Sequence, residues 1–263
     1  MNVSLVIVTH NVDELFVVQS KQITNPLFSE VVIINTGKKD ISSLTNLKLS
    51  NLRVFDHEFQ NDLPQIKNIG IQQATGDWIL TIDTDELFED SLLAEVPQLI
   101  LNDEIDGYWF RRKTFIDSKG TYLKHGLFYP DWQLRLFRRR REYLYSGGVH
   151  ALLPIPQQRT KEISLDLLHY PTNPKYQSFA NFKNFLPYIY MDAAEYTKKS
   201  NSAFKLIILG IKEFINLFFG GYLRGKGFLD GWAGFRAHLL FASYISAIYF
   251  FAAHTMLFRS NKV

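Results

Sequence analysis

The chain has 263 residues, a hydrophobic fraction of 46% and no cysteine. That is enough apolar material for one large α/β domain, or one with an appendage, and it excludes a disulfide framework, Cys-ligated zinc and a thiol nucleophile. The 29 basic and 26 acidic residues leave a formal charge of +3, too mild for a nucleic-acid-binding protein.

In chain order, Val3–Thr9 (VSLVIVT) reads as a buried strand, too short for the apolar stretch of a signal peptide. Val12–Ile23 has helical spacing, with Asn11 as its candidate N-cap. Strands are expected at Val31–Asn35 and Arg53–Asp56, then a helix over Leu63–Ala74 that Gly76 terminates, then a fourth strand at Trp78–Ile82. Ser91 is expected to cap a helix that runs through Leu101. Strand–helix alternation of this kind over residues 1–106 predicts a Rossmann-like, mostly parallel sheet with right-handed crossovers.

The pattern changes at Gly107. Tyr108–Phe115, Thr121–Leu123, Gln133–Arg138 and Ser164–Leu168 predict strands, giving a mixed β region over 107–172. Residues 173–263 read as a helical extension. In Phe204–Phe219 the polar Lys205, Lys212 and Asn216 share one face and leave a wide apolar one, while Leu239–Phe258 carries no formal charge. An interfacial or domain-packed helix fits the Ser, His, Tyr and Phe content of that last run better than a membrane span.

The strongest chemical signal is Asp83-Thr84-Asp85-Glu86 at the end of the fourth strand. Strand tips are where α/β sheets bind ligands. Convergent carboxylates there suit Mg²⁺ or Mn²⁺, a metal that usually shares its shell with substrate phosphates, so the motif suggests chemistry on a nucleotide diphosphate. Lys67, on the preceding helix, is placed to face a diphosphate. Thr9-His10-Asn11 stands at the tip of the first strand, where polar groups can meet a nucleoside. Asp131 precedes a strand in a turn, a suitable place for a general base, and Arg135 and Arg138 can hold anionic groups bidentately. His150 and His169 are open to three roles: base, metal ligand or structural residue. Arg138–Arg141 is equally readable as a solvated or membrane-facing edge.

In this order the pieces resemble family 2 glycosyltransferases of the GT-A fold. VSLVIVTHNVDELF is similar to that family's opening strand, EVVIINTGKKD to its second, and IKNIGIQQATGDWILTIDTDE to its Arg-Asn-x-Gly…Gly-Asp…Asp-x-Asp-Glu segment. PDWQLRLFRR, GGVH and GFLDGWAGF resemble bacterial glucosyltransferases that decorate lipopolysaccharide core and related surface glycans. The resemblance implies an inverting, metal-dependent transfer of a hexose from a nucleotide-diphosphate sugar, UDP-linked, to a glycan or lipid-linked acceptor. It implies a cytoplasmic enzyme, peripheral on the inner face of the cell membrane, with the membrane surface and not nucleic acid as partner.

Carried over residue by residue, the resemblance places Thr9, Asn11, Glu14, Asn35, Lys67 and Asp83 at the nucleotide sugar. Asp85 and Asp83 become metal ligands, with His169 completing the shell. Asp131 is the expected base, with His150 and Glu86 as alternatives. The chain also departs from the pattern. Asn35 stands where an acid usually meets the nucleotide base, Lys67 replaces an arginine, and Gly37-Lys38-Lys39 replaces a Gly-Ser loop. Ala151 stands where related chains carry a glutamate after Val-His. Two other readings compete: a nucleotidyltransferase that forms sugar nucleotides, and a non-catalytic membrane-associated binding protein on a decayed scaffold. The first is disfavoured because no glycine-rich loop follows the first strand, the second because Asp83 and Asp85 are both present.

Overall fold

The computed structural model describes residues 1–10, 22–37, 49–58, 63–117, 120–146, 152–171 and 175–259. Asn11, Glu14, Lys38, Lys39, His150, Ala151 and nearly all of the helix expected at Val12–Ile23 lie outside them.

The chain divides into two compact units, one of Met1–Arg112 with Trp132–Tyr170, the other of Lys113–Asp131 with Pro171–Val263. The first holds the sheet. Its strands are β1 (Val3–Thr9), β2 (Phe28–Asn35), β3 (Leu52–Asp56), β4 (Trp78–Asp83), β5 (Glu86–Phe88), β6 (Gly107–Thr114), β7 (Asp131–Arg138) and β8 (Thr160–His169). Their order is β3-β2-β1-β4-β7-β6-β8-β5. β1 pairs in parallel with β2 and β4, and β2 with β3, whereas β7 runs antiparallel to β4 and β8 to β5.

Both faces of the parallel half are covered, which is why its strands are largely apolar. Leu5 and Ile7 pack with Ile33, Leu80, Leu92 and Val96 on one face, while Val6 packs with Val32, Ile34, Ile66 and Ile79 on the other. Helix α1 (Leu63–Gln73) supplies Ile66 and helix α2 (Asp90–Leu99) supplies Leu92 and Val96. α1 lies close on the sheet at Gly70, where a β-carbon would stand 2.5 Å from Val6 Cγ1.

Three expectations are corrected. α2 begins at Asp90, one residue before Ser91, because the extended Glu89 is its N-cap and its carbonyl accepts from Leu92 N and Leu93 N; the helix ends at Leu99. The strand expected at Thr121–Leu123 is a single bridge between Phe115 and Tyr122. β5 was not anticipated, since three residues are too few to show a strand period.

β5 shapes the site. Only Thr84 and Asp85 separate β4, inside the sheet, from β5 at its edge, four strand positions away. In a flat sheet those positions would be about 19 Å apart, whereas three Cα–Cα steps reach about 11 Å. The sheet therefore curls, and the Asp83–Glu86 turn stands at the closure.

The second unit contains α3 (Leu186–Lys199), α4 (Ala203–Phe219) and α5 (Gly231–Arg259), with α4 and α3 packed on α5. In it, the Asp230 carboxylate accepts from Lys124 N (2.9 Å) and His125 N (3.0 Å) and meets His125 Nδ1 at 2.8 Å. Residues 113–131 are tied to the helices by that carboxylate.

Candidate active site

The parallel strands set out their C-terminal ends in register: Thr9 beside Asn35, Asn35 beside Asp56, and Val8 beside Asp83. The chain steps outward from β1 to β2 and β3, then returns to the other side of β1 as β4. The switch point thus falls between β1 and β4, where open sheets bind ligands.

On the β1–β3 side, the Asn35 amide donates to Asp56 Oδ1 at 2.8 Å and its carbonyl accepts from Gly37 N at 3.2 Å. Thr36 donates to the Thr9 carbonyl through its backbone N (2.8 Å) and Oγ1 (2.9 Å). Gly37 is required here, because a β-carbon would fall 1.8 Å from the His10 carbonyl oxygen. Asp56 thus sets a carboxylate beside Asn35, one strand farther out. The sequence reading ended β3 on Asp56 but gave it no role.

On the β4 side, Asp83 is held between two cations. Its Oδ1 is 2.9 Å from Lys67 Nζ and its Oδ2 is 2.8 Å from Arg135 Nη2. Burial would raise this carboxyl's pKa, but Lys67 and Arg135, with Arg112 beyond, hold it far below the ordinary carboxylate range. Burial likewise works against the Arg135 charge, and Glu86 and Asp83 more than restore it. Glu86 is fully buried, 2.5 Å from Arg135 and 3.3 Å from Arg112, and it accepts from Asp83 N at 3.2 Å. A base must reach the hydroxyl it deprotonates, so the placement of Glu86 is that of a counter-ion rather than of the alternative base. Arg135, expected on substrate, is itself buried between two carboxylates.

Lys67 is positioned from behind. Its ammonium lies 5.7 Å from the Tyr145 ring centroid, and Asn68 clamps Tyr145 by accepting from its N (2.7 Å) and donating to its carbonyl (2.9 Å).

Asp85 faces another way. β5 pairs Glu86 with His169, and Tyr170 N donates to the Asp85 carbonyl at 2.7 Å. This brings His169 Nε2 to 3.2 Å from Asp85 Oδ2, with both side chains partly exposed. The two groups are a carboxylate oxygen and an imidazole nitrogen, donor types that would suit Mg²⁺ or Mn²⁺, and here they contact each other directly. Asp83 is turned to Lys67 and Arg135 instead. Among the described residues no group of three His, Cys, Asp or Glu could hold one ion.

Arg138 is a correction. It pairs with Trp78, at the other end of β4 from Asp83, about 16 Å away along the strand. There it binds Asp103 Oδ1 at 2.7 Å and Asp106 Oδ1 at 3.2 Å, and stacks 4.8 Å from the Trp78 ring centroid. Arg139 donates to the Gly76 carbonyl and Arg140 to Asp106. Three arginines of the run therefore tie loops down. Asp131 is the first residue of β7, which runs antiparallel to β4 from Leu136 to Arg138.

A sequence model described as glycosyl transferase family 2 matches residues 4–155. Among solved structures, S. aureus TarS 1–349 in complex with UDP-GlcNAc is similar at 15% identity and a TM-score of 0.49, over 94% of this chain and 82% of that one. TarS 1–349 alone gives 16% and 0.47, over 87% and 74%. GalNAc-T7 with UDP, GalNAc and Mn²⁺ gives 16% and 0.45, over 65% and 44%.

Proposed function

The chain belongs to glycosyl transferase family 2, and from that premise we propose an inverting hexosyltransferase that takes its sugar from a UDP-linked donor. Its α/β sheet is of the GT-A type. The acceptor in this reading is a lipid-linked or lipopolysaccharide-type surface glycan, presented at the inner face of the cell membrane. The observation that supports the proposal is the placement of polar groups about the switch point: Thr9, Asn35 and Asp56 on one side, and Lys67, Asp83, Asp85 and His169 on the other.

Each group has a role in this reading. The Asn35 amide, oriented by Asp56, hydrogen-bonds the nucleotide base. Lys67 faces the diphosphate, and Asp83 and Arg135 fix its position. Asp85 and His169 would hold Mg²⁺ or Mn²⁺, which when bound offsets the charge that develops on the departing diphosphate. The acceptor oxygen bonds to the anomeric carbon as the bond from that carbon to the diphosphate oxygen breaks on the opposite face. The hydroxyl proton passes to Asp131.

The test is transfer to an acceptor glycan, with the product's anomeric configuration read by NMR. Inversion is expected, and Asp131→Asn should lower kcat by about 10²–10⁴-fold with donor KM little changed. Retained configuration, or full activity in Asp131→Asn, overturns the mechanism.

A further inference from the structure

Helix α4 carries an apolar stripe that the fold leaves uncovered. Phe204, Ile208, Ile211, Ile215 and Phe219 recur at intervals of three and four residues, and each is between 46% and 71% exposed. Such spacing puts them on one side of a helix with about 3.6 residues per turn. The opposite side packs on α5. Leu206 and Gly210 are buried there, Ser246 Oγ donates to the Gly210 carbonyl at 2.9 Å, and a β-carbon on Gly210 would stand 2.9 Å from the Phe250 ring. The stripe is thus not a core face. From Phe204 to Phe219 it runs about 22 Å along the helix, and contiguous exposed apolar patches mark interaction sites.

Its charge pattern selects the partner. Lys205 and Lys212 are exposed and border the stripe on one side, about 60–80° from its centre, whereas Glu213 falls on the far side of the helix. Exposed Arg224 and Lys226 follow, then exposed Phe228, Leu229 and Trp232. Cations that edge an apolar strip are the composition of a helix lying in a membrane interface. The lysine stems lie along the apolar zone and the ammonium groups reach the headgroups. Length and composition alone would let Ala203–Arg224 cross a membrane. However, Lys205, Lys212 and Glu213 would then be drawn into or against hydrocarbon, and the α5 contact would be competing with lipid.

We propose that α4 is the membrane-embedding face of this enzyme: it lies in the plane of an anionic leaflet, sunk on the Phe204–Phe219 side, without spanning. This deepens the reading of a membrane-presented acceptor and rests on it for its purpose, but it can be tested without turnover.

The experiment is cosedimentation of the full-length protein with vesicles of phosphatidylcholine, with and without phosphatidylglycerol, alongside size-exclusion light scattering. The wild type should bind anionic vesicles and be released by alkaline carbonate. Ile211→Asp/Ile215→Asp should lower the bound fraction at least tenfold with an unchanged thermal midpoint. Lys205→Glu/Lys212→Glu should erase the preference for phosphatidylglycerol. Ile215→Ser serves as a milder variant in which a smaller loss is expected. Undiminished binding of the aspartate variant overturns the proposal, as does resistance to carbonate. So does a dimer that the aspartate variant dissociates while vesicle binding persists. Vesicle binding in a protein without transfer activity would instead count against the enzymatic reading alone.

Discussion

Glu86 and Asp83 show how few groups set the electrostatics of this site. Two carboxylates are shared among Lys67, Arg112 and Arg135, and Glu86 is buried away from bulk solvent. Removing one member of a buried ion network leaves its partners uncompensated, at a cost of about 3–5 kcal/mol. Glu86→Ala is therefore expected to destabilise the protein by that amount in urea unfolding, and a change below ~1 kcal/mol would contradict its role as a counter-ion. Lys67 serves two partners in this reading, so Lys67→Ala should weaken apparent donor affinity by about 2–5 kcal/mol, while Lys67→Arg should restore most of it. That Asp83-x-Asp85 closes a buried strand was legible in the sequence, but the separate surroundings of its two carboxylates were not. Both cations of Asp83 come from elsewhere in the chain, and Arg135 is 52 residues away.

Elements differ in how plainly they announce themselves. β1 was legible to the residue because a strand buried on both faces is mostly apolar, here with only Ser4 and Thr9 as polar members. β5 was not, and with it went the reason why His169 meets Asp85, a contact across 84 residues made by the β5–β8 pairing. The segment GFLDGWAGF (Gly227–Phe235) was legible as a motif without a visible purpose. Its structural content is close packing: a β-carbon on Gly227 would lie 2.2 Å from Cε1 of the fully buried His238, whose Nδ1 bonds the Gly234 carbonyl at 2.7 Å. Gly231 has φ +59° but open space around it. Gly227→Ala should cost about 1–3 kcal/mol through overpacking, and Gly231→Ala, where only the backbone conformation resists, about 1–3 kcal/mol through strain. Urea melts of each variant check this, and an unchanged midpoint in Gly227→Ala would contradict the packing argument.

The whole molecule carries carboxylates whose charge is needed for folding. Glu30, bonded to Ser4, Thr75 and Arg53, and Asp106, bonded to Arg159, Tyr143 and Arg140, both titrate at about 2 in the fold despite burial, against ordinary values of 4.5 and 3.8. A pKa depressed by folding contributes stability in full above the unfolded value and loses it as pH falls toward the folded one. Stability should therefore be level with respect to these groups above about pH 5 and decline between pH 4.5 and about 2; chemical melts over that range test it, and a constant midpoint would contradict it. The α/β layout and the helical C-terminal region were both legible from periodicity, whereas the sheet's curl was not, because it follows from a two-residue connection between strands four positions apart. That curl is what sets Asp85 against His169 at the switch point. The most direct measurement of its purpose is nucleotide-diphosphate release from a panel of nucleotide sugars with Mg²⁺ or Mn²⁺, wild type beside Asp85→Ala. Turnover of a UDP-linked sugar that falls at least ~10²-fold in the variant is expected; release that survives Asp85→Ala unchanged would contradict the site.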